Sequence, residues 1–446
     1  MRIRGLLIAL VALAGLAALV YWSNKAKKAE EGKPSPDAPP KILTVSEDQI
    51  RQIELRKRDA EPVVLRKSDA GKWEMTAPKP LPVDQDTVSS MTSTLSSLDA
   101  GRLAEEEASD LAEFGLAAPS FELQLTKKDG KIERLYFGDE SPAGGGFYAR
   151  KEGDPRVFTV ASYNKTSLDK SARDLRDKRL LTFDSDKLTR VELAAKGEPV
   201  EFGKNDQNEW QIIKPKPLRA DGGQVEELIR KLKDAKMDTA ASEEDDKKAA
   251  KAFGAAKRVA LVKVTDVSGT QELEVRKSKE NDYYARSTVV EGFHKIASYA
   301  GEGFDKGLED FRNKKVFDFG WNDPTKVEIR DDAKQVEYQK SGDKWMAGGK
   351  QMDSVSVQAV IDKLRDLAAA KFPDKGFTTP FLEAKVTSND GKRVEKVLIS
   401  KVGSSYFARR ENEPSIYELD GKAVEELQKA ASEVKEHQPP KDAKKK

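Results

Sequence analysis

One unit is written three times into this chain of 446 residues, and the repeat limits its fold more than any other feature. A string of two aromatic residues, alanine and arginine marks each copy, at intervals of roughly 120 to 140 residues. The strings occupy residues 147–150, 283–286 and 406–409. The same landmarks surround each of them: a lone tryptophan, a helix that follows an aspartate, a glycine turn and a final helix. We therefore expect three modules with one common fold.

The composition sets the size of these modules and argues against one class of partner. A chain of this length has room for about three domains of ordinary size. Charged residues make up 35% of it, and the 79 Lys and Arg nearly cancel the 77 Asp and Glu. Nucleic-acid-binding proteins usually show a basic excess. We therefore expect no nucleic-acid partner, and we interpret the basic segment 438–446 as a solvated, disordered tail.

The inventory of reactive side chains is small. The chain has no cysteine, which excludes disulfides, thiolate nucleophiles and cysteine-ligated metals. Its two histidines are His294 and His437, and His294 occupies a strand position that holds Phe158 and Tyr417 in the other copies. A packed ring explains that position better than a general base does. We expect no catalytic residue, no metal site, no cofactor and no enzymatic activity.

The N-terminal segment predicts export. Residues 1–4 carry two arginines, and residues 5–22 are uncharged and mainly Leu, Ala and Val. As a helix this stretch is roughly 27 Å long, enough to cross the hydrocarbon core of a bilayer. We predict a retained single-pass anchor in the inner membrane, with a cytoplasmic N-terminus and a periplasmic body; a cleaved signal peptide is the alternative. The Pro- and Lys-rich residues 23–40 read as an extended linker.

The repeat divides the remaining chain into modules at 41–183, 184–319 and 320–437. Within each, strand-like alternation and turn residues indicate antiparallel hairpins, and apolar residues at helical spacing indicate covering helices. The predicted fold class is α+β, with three tandem antiparallel sheets packed with helices.

One tryptophan lies in the return strand of the first hairpin of each module. These residues are Trp73, Trp210 and Trp345. A structural role predicts that each ring packs against the following helix. The alternative is an exposed ring that stacks on a sugar or peptide ligand.

An aspartate precedes the main helix of each module, and a glycine follows a short helix further on. Asp84, Asp221 and Asp353 are expected to cap their helices by accepting backbone N–H bonds. Gly115, Gly254 and Gly376 are expected to end short helices in the left-handed conformation. Both sets therefore have structural explanations.

The arginine of each string is the best polar candidate for a repeated contact. Arg150, Arg286 and Arg409 stand beside aromatic residues, which together could hold a carboxylate or a phosphate. The alternative, which we favour, is an ion pair within each module.

The order of these landmarks resembles DUF4340, a bacterial domain family of unknown function. The resemblance rests on Trp73, residues 114–119 (FGLAAP), the string at 147–150 and residues 175–178 (LRDK). About three tandem copies would cover 42–437, although Arg258 replaces the proline in the second copy and Lys375 replaces the phenylalanine in the third. The resemblance implies a membrane-anchored, exported protein and a membrane partner, since some members are similar to auxiliary components of ABC-type transport or gliding-motility systems. It supplies no catalytic residues.

Two functions remain open from the sequence. The first is a non-enzymatic, membrane-tethered periplasmic scaffold or adaptor for such a transport complex. The second is a binding module for cell-wall glycan or an exported polymer. A common exposed groove formed by the tryptophans and arginines would favour the second function, and burial within each module would count against it.

Overall fold

The computed structural model describes residues 42–438, except 143, 322–323, 333 and 412. The predicted N-terminus (1–4), anchor (5–22) and linker (23–40), and residues 439–446 of the predicted tail, lie outside the described residues. In the part that is described, no helix is both long enough and apolar enough to cross a membrane.

The described chain forms three antiparallel sheets with helices, which confirms the α+β prediction with three sheet units. The first module contains β1 (Ile50–Lys57), β2 (Val63–Lys67), β3 (Trp73–Ala77), β4 (Leu81–Pro82), α1 (Gln85–Ser96), β5 (Arg102–Glu105), β6 (Phe121–Lys127), β7 (Ile132–Glu140), β8 (Gly146–Lys151), β9 (Val157–Ala161), α2 (Ser162–Leu168) and α3 (Ala172–Leu175).

The second and third modules repeat this series. The second contains β10 (Arg190–Ala194), β11 (Val200–Lys204), β12 (Trp210–Lys214), β13 (Leu218–Arg219), α4 (Gly222–Lys233), α5 (Glu243–Ala255), β14 (Lys257–Asp266), β15 (Gly269–Lys277), β16 (Tyr283–Ser287), β17 (Phe293–Ile296), α6 (Ser298–Glu302) and α7 (Leu308–Phe311). The third contains β18 (Lys326–Asp331), β19 (Lys334–Ser341), β20 (Lys344–Ala347), β21 (Lys350–Gln351), α8 (Ser354–Asp366), β22 (Ala369–Lys371), β23 (Pro380–Ser388), β24 (Arg393–Val402), β25 (Ser405–Arg410), β26 (Ile416–Leu419) and α9 (Gly421–Ser432).

The three sheets share one strand order. The first runs β4-β3-β2-β1-β6-β7-β8-β9-β5, and the third runs β21-β20-β19-β18-β23-β24-β25-β26-β22. The second runs β13-β12-β11-β10-β14-β15-β16-β17 and lacks the last edge strand. The segment before α5 takes that place, because the Asp238 N–H donates to the carbonyl of Lys295 on β17 at 2.8 Å.

Each module has its own hydrophobic core between the sheet and its main helix. On α4 the buried residues recur every three or four positions, which places them in one stripe facing the sheet. They are Val225, Leu228, Ile229 and Leu232. On the strands, burial alternates with period two, as in β6 and β23. The unburied faces carry ion pairs instead.

A connector segment precedes the first strand of each module and belongs to that module. A backbone bond joins it to the end of the main helix: Ile42 to Leu98, Leu180 to Ala235 and Val316 to Leu367, at 3.2, 2.9 and 3.0 Å. Residues 180–183 therefore contribute to the second core and 316–319 to the third. The predicted boundaries at 183 and 319 assign these residues to the preceding modules. The apolar connector looks from the sequence like the end of the preceding helix, whereas its partners follow it in the chain.

The last residues of each module return to the start of its main helix. Isolated antiparallel bridges join Val83 to Arg176, Ala220 to Arg312 and Met352 to Glu436. The N-cap aspartate N–H also donates to this returning segment in every module. The chain divides into two compact units between Lys178 and Arg179, and the second unit contains the second and third modules together.

Candidate functional site: the junction of the second and third modules

The three tryptophans lie inside their own modules. Trp73 and Trp210 are 6% exposed and Trp345 is 4% exposed. The Trp210 indole N–H donates to the carboxylate of Glu226 on α4. These rings do not present their faces to solvent, so they offer no platform on which a sugar could stack.

The three aspartates occupy N-cap positions. The carboxylates of Asp84, Asp221 and Asp353 accept the backbone N–H three residues further on, at 3.0, 3.1 and 2.9 Å. Each main helix therefore begins with one of its orphan N–H groups satisfied by a side chain. None of these carboxylates is positioned for chemistry at a shared site.

The glycines differ from one another, which corrects two predictions. Gly115 does end a short 3₁₀ turn in the left-handed conformation, with φ of 66°. Gly254 instead lies within α5, which continues to Ala255 because it packs its Phe253 side against Tyr284 and Phe293. No helix directly precedes Gly376 in the described segment around it, and an added Cβ there would lie 2.7 Å from the ring of Phe407. Gly376 is explained by that close approach.

The arginines of the three strings have three different environments. Arg150 donates to the carbonyl of Asp154 at 2.7 Å, and Arg286 pairs with Glu274 at 3.0 Å. Arg409 is exposed on β25. What the three strings share is a core-facing alanine, since Ala149, Ala285 and Ala408 are all fully buried. They do not form a repeated ligand contact.

A charged cluster that we did not predict lies where the second module meets the third. Its centre is Arg219, the last residue of β13, whose side chain is only 14% exposed. The guanidinium pairs with Asp318 and with Glu413 of the third module, the latter at 3.2 Å. It also donates to the carbonyl of Lys315 and, at 3.3 Å, to the hydroxyl of Tyr417. One side chain of the second module is thus held by four groups of the third.

A second arginine completes the cluster from within the third module. Arg410 donates to Glu413 at 2.7 Å and to Glu395 at 3.0 Å. The Glu395 side chain is 3% exposed and also accepts the backbone N–H of Asp318 at 2.8 Å. Arg393 lies at the rim, 3.6 Å from Glu395. The cluster therefore balances three arginines against three carboxylates, although Arg219 Nε and Glu395 Oε2 are buried and make no hydrogen bond.

An arginine–aromatic stack lies beside the cluster. The guanidinium of Arg312 lies 3.6 Å from the ring centroid of Phe372 and donates to Ser415 at 3.2 Å. Phe372 packs edge-on against Tyr417 with centroids 5.4 Å apart. Arg312 belongs to the returning segment of the second module, and the residues it contacts here belong to the third. A desolvated stack of this kind adds to the junction's stability.

Burial and charge shift two pKa values at this junction. For Arg219, burial would lower the pKa, but Asp318, Tyr417 and Glu413 outweigh it and raise the pKa. Burial raises the pKa of Tyr417, and Arg219 partly opposes that effect. Arg219 therefore stays charged and Tyr417 stays neutral at ordinary pH, so the junction holds its hydrogen bonds unchanged.

A surface groove of about 370 Å³ opens above this cluster. Its lining includes Trp210, Arg219, Asn313, Asp318 and Arg393. Most polar groups here contact one another, with Arg393 making only the longer ion pairs of 3.6 Å to Glu395, 3.7 Å to Glu209 and 3.9 Å to Asp318. Within the described residues, no three His, Cys, Asp or Glu side chains are placed to hold a metal ion. The arrangement is suited to fixing two modules together.

The sequence held a signal for Arg410 that motif reading missed. In β25 the residues facing the core are Tyr406 and Ala408, so the next core-facing position is 410 and not 409. A charged residue on the core-facing side of a strand requires a buried partner of opposite charge. Arg219 gives no such signal, because its partners lie roughly 100 to 200 residues away in the chain.

Comparison with known families was informative, whereas comparisons with curated proteins and with solved structures gave no match. The family model described as a domain of unknown function (DUF4340) matches two segments, residues 73–210 and 210–384. Both segments run from a module's tryptophan strand into the following module, so each spans a module boundary. Together they cover more than half of the sequence, and the chain therefore belongs to the DUF4340 family.

Proposed function

We propose that this protein is a non-enzymatic scaffold or adaptor, tethered to the inner membrane, that organises a membrane transport complex from the periplasmic side. The observation that carries the proposal is the buried charge cluster around Arg219, which ties the second and third modules together. A scaffold needs its binding surfaces at a fixed spacing. A junction with several buried, oriented ion pairs provides that spacing.

The free-energy cost of burying charged groups supports this interpretation of the cluster. Burying ion pairs adds little net stability compared with well-packed apolar residues, because each charge loses its hydration. Such a cluster is better understood as a device that permits one arrangement and penalises others, since a displaced second module would separate Arg219 from Asp318 and Glu413. We infer that the cluster fixes the relative orientation of the second and third modules.

The membrane part of the proposal comes from the sequence and the family. The apolar segment 5–22 has the length of an anchor and follows two arginines. The resemblance to the family adds that some members are similar to auxiliary components of ABC-type transport systems. We also propose that the three sheet modules are tandem copies of the family's domain, since they share strand order, N-cap and connector bonds.

The alternative was a module that binds glycan through exposed tryptophans and arginines. Burial of Trp73, Trp210 and Trp345 removes the stacking surfaces that this function requires. The differing environments of Arg150, Arg286 and Arg409 remove the repeated contact. The scaffold is the function that we retain.

Site-specific photo-crosslinking in intact membranes tests the proposal. A photoreactive residue would replace Val267 or Val355, each 77% exposed, in the full chain. We expect capture of an integral membrane protein, identified by mass spectrometry. The matched control places the same residue at Leu228, which is 1% exposed and should capture nothing. Failure to capture any membrane protein from either exposed position would contradict the proposal.

A further inference from the structure

A groove of the second module carries unbalanced positive charge. It has a volume of about 470 Å³ and lies at the end of the β14–β15 hairpin. Four cations line it: Lys257, Arg258, Lys277 and Lys279. The one acidic residue in its lining, Asp305, already pairs with Lys196 at 3.3 Å. In a chain with a net charge of only +2, this is a strong local concentration.

The pairing of the strands brings like charges face to face. Lys257 lies opposite Lys277 in the antiparallel register, and Arg258 lies opposite Arg276. Arg276 is neutralised by Glu274 at 2.8 Å. Within the part of the chain that the structure describes, no ion pair joins Lys257, Arg258 or Lys277 to a carboxylate. Like charges directly opposite each other destabilise a sheet, so this arrangement has a cost unless an anion is present.

The helix end nearby does not compensate for the charge. Lys257 and Arg258 follow the C-terminus of α5, whose carbonyl groups attract cations. A helix terminus is equivalent to about half an elementary charge. The lining carries four positive charges against the single carboxylate of Asp305, so most of the excess remains.

The groove is particular to the second module. Strand register places Arg258 at the position of Pro119 in the first module and Pro380 in the third. The first module also has Asp139 at the position of Lys277. The third module keeps a lysine, Lys401, at the position of Lys277. The fold itself does not require Arg258, because the first and third modules form the same hairpin with proline there.

Neutral donors stand beside the cations on the turn at 278–281. The Ser278 hydroxyl oxygen accepts the backbone N–H groups of Glu280 and Asp282, both at 3.2 Å, and its own O–H remains a hydrogen-bond donor. Asn281 also lines the groove, held at φ of 67°. A planar guanidinium, several ammonium groups and a hydroxyl are the donors that bind phosphate oxygens in proteins.

From these observations we propose that the groove binds a phosphate ester, with Arg258 as the forked donor and the lysines as neutralising charges. The volume suits a ligand of sugar-phosphate size. The same chemistry is offered by a free sugar phosphate and by the headgroup of an anionic phospholipid. This proposal does not depend on the scaffold function, since it concerns a different surface.

Calorimetric titration of the full chain in neutral detergent micelles tests it. One arm adds glucose 6-phosphate and the other adds phosphatidylglycerol to the micelles, with glucose and phosphatidylcholine as the matched uncharged or zwitterionic ligands. We expect saturable binding to at least one phosphate ligand, weakened by high salt. Binding in the first arm identifies a soluble ester, and binding only in the second identifies a headgroup.

Paired variants locate the site. The double variant Arg258→Gln, Lys279→Gln should weaken binding by at least about tenfold, because each substitution removes one charged contact to the phosphate. Lys216→Gln with Lys247→Gln removes the same charge from exposed positions outside the groove lining and should change the affinity less than about twofold. Lys279→Gln alone, on an exposed turn, serves if the double variant fails to fold. Absence of saturable binding in both arms, equal binding of glucose, or equal weakening by both pairs would overturn the proposal.

Discussion

The second and third modules end in the same backbone arrangement but with different side chains. In both, the N-cap aspartate donates its N–H to the returning segment at 2.8 Å, and a single bridge closes the module. The second module carries Arg219 and Arg312 on the two closing segments, and both reach into the third. At the equivalent places the third carries Gln351 and Glu436.

The difference separates two tasks within one module. Backbone hydrogen bonds close each module on itself. In the second module, the side chains of Arg219 and Arg312 also bind the module that follows. Glu436 pairs with Lys350 of its own module, and both side chains are more than half exposed. Within the described residues, the closing segments of the third module therefore present an exposed ion pair made by their own side chains.

The largest effect is expected from Arg219→Met. It removes the nearest cation of Asp318, which is 19% exposed, and leaves Glu413 with Arg410 alone, at a cost of about 3 kcal/mol. Urea unfolding of the full chain should show a less stable transition for the second and third modules. Arg230→Met is the control, because that arginine is 64% exposed and should matter by less than about 0.5 kcal/mol. Equal effects would show that the cluster does not hold the modules.

Arg312→Lys should cost about 1 to 2 kcal/mol. A lysine keeps the charge but loses the planar contact with Phe372 and the bond to Ser415. The free energy of unfolding would be compared with that of Phe372→Leu, which removes the same stack from the other side. The two variants should be non-additive when combined, and full additivity would contradict a direct contact.

Loss of the N-cap side chain should lower the stability of the second and third modules by the same amount. Asp221→Ala and Asp353→Ala each remove one side-chain bond to a helix N–H, at 3.1 and 2.9 Å, and each should cost about 1 kcal/mol. Asp→Asn at the same positions is the control and should retain most of the stability. A large difference between the losses in stability of the two variants would mean that the second and third modules do not close in the same way.

The smallest effect is expected at the closing segments of the third module. Glu436→Gln breaks an exposed pair with Lys350 and should change the free energy of unfolding by less than about 0.5 kcal/mol. Thermal unfolding of this variant and of Arg219→Met would compare the closing segments of the third module with those of the second. A loss similar to that of Arg219→Met would remove the distinction between them.

The sequence predicted what local rules determine. The repeat, the α+β class and the helices that follow Asp84, Asp221 and Asp353 depend on short-range spacing and alternation, which are visible in one chain. The prediction for Gly254 was wrong because a helix tolerates glycine near its end, and tertiary packing extends this helix to Ala255. Local patterns do not report that packing.

The junction could not be predicted in the same way. Arg219 looks like an ordinary polar residue before a helix, and its partners Asp318 and Tyr417 are distant in the chain. Attention to strand parity would have selected Arg410 over Arg409. Even so, parity shows only that a partner is needed and does not identify Glu395.

The connector bonds have a consequence for how such a chain could have grown. Val316, Phe317 and Phe319 are buried in the module that comes after them, joined by the Val316–Leu367 bond. A gene segment copied from strand to final helix would omit these residues and yield an incomplete core. A viable duplication must carry its leading connector with it, so each new unit would be inherited together with its own attachment to the unit before.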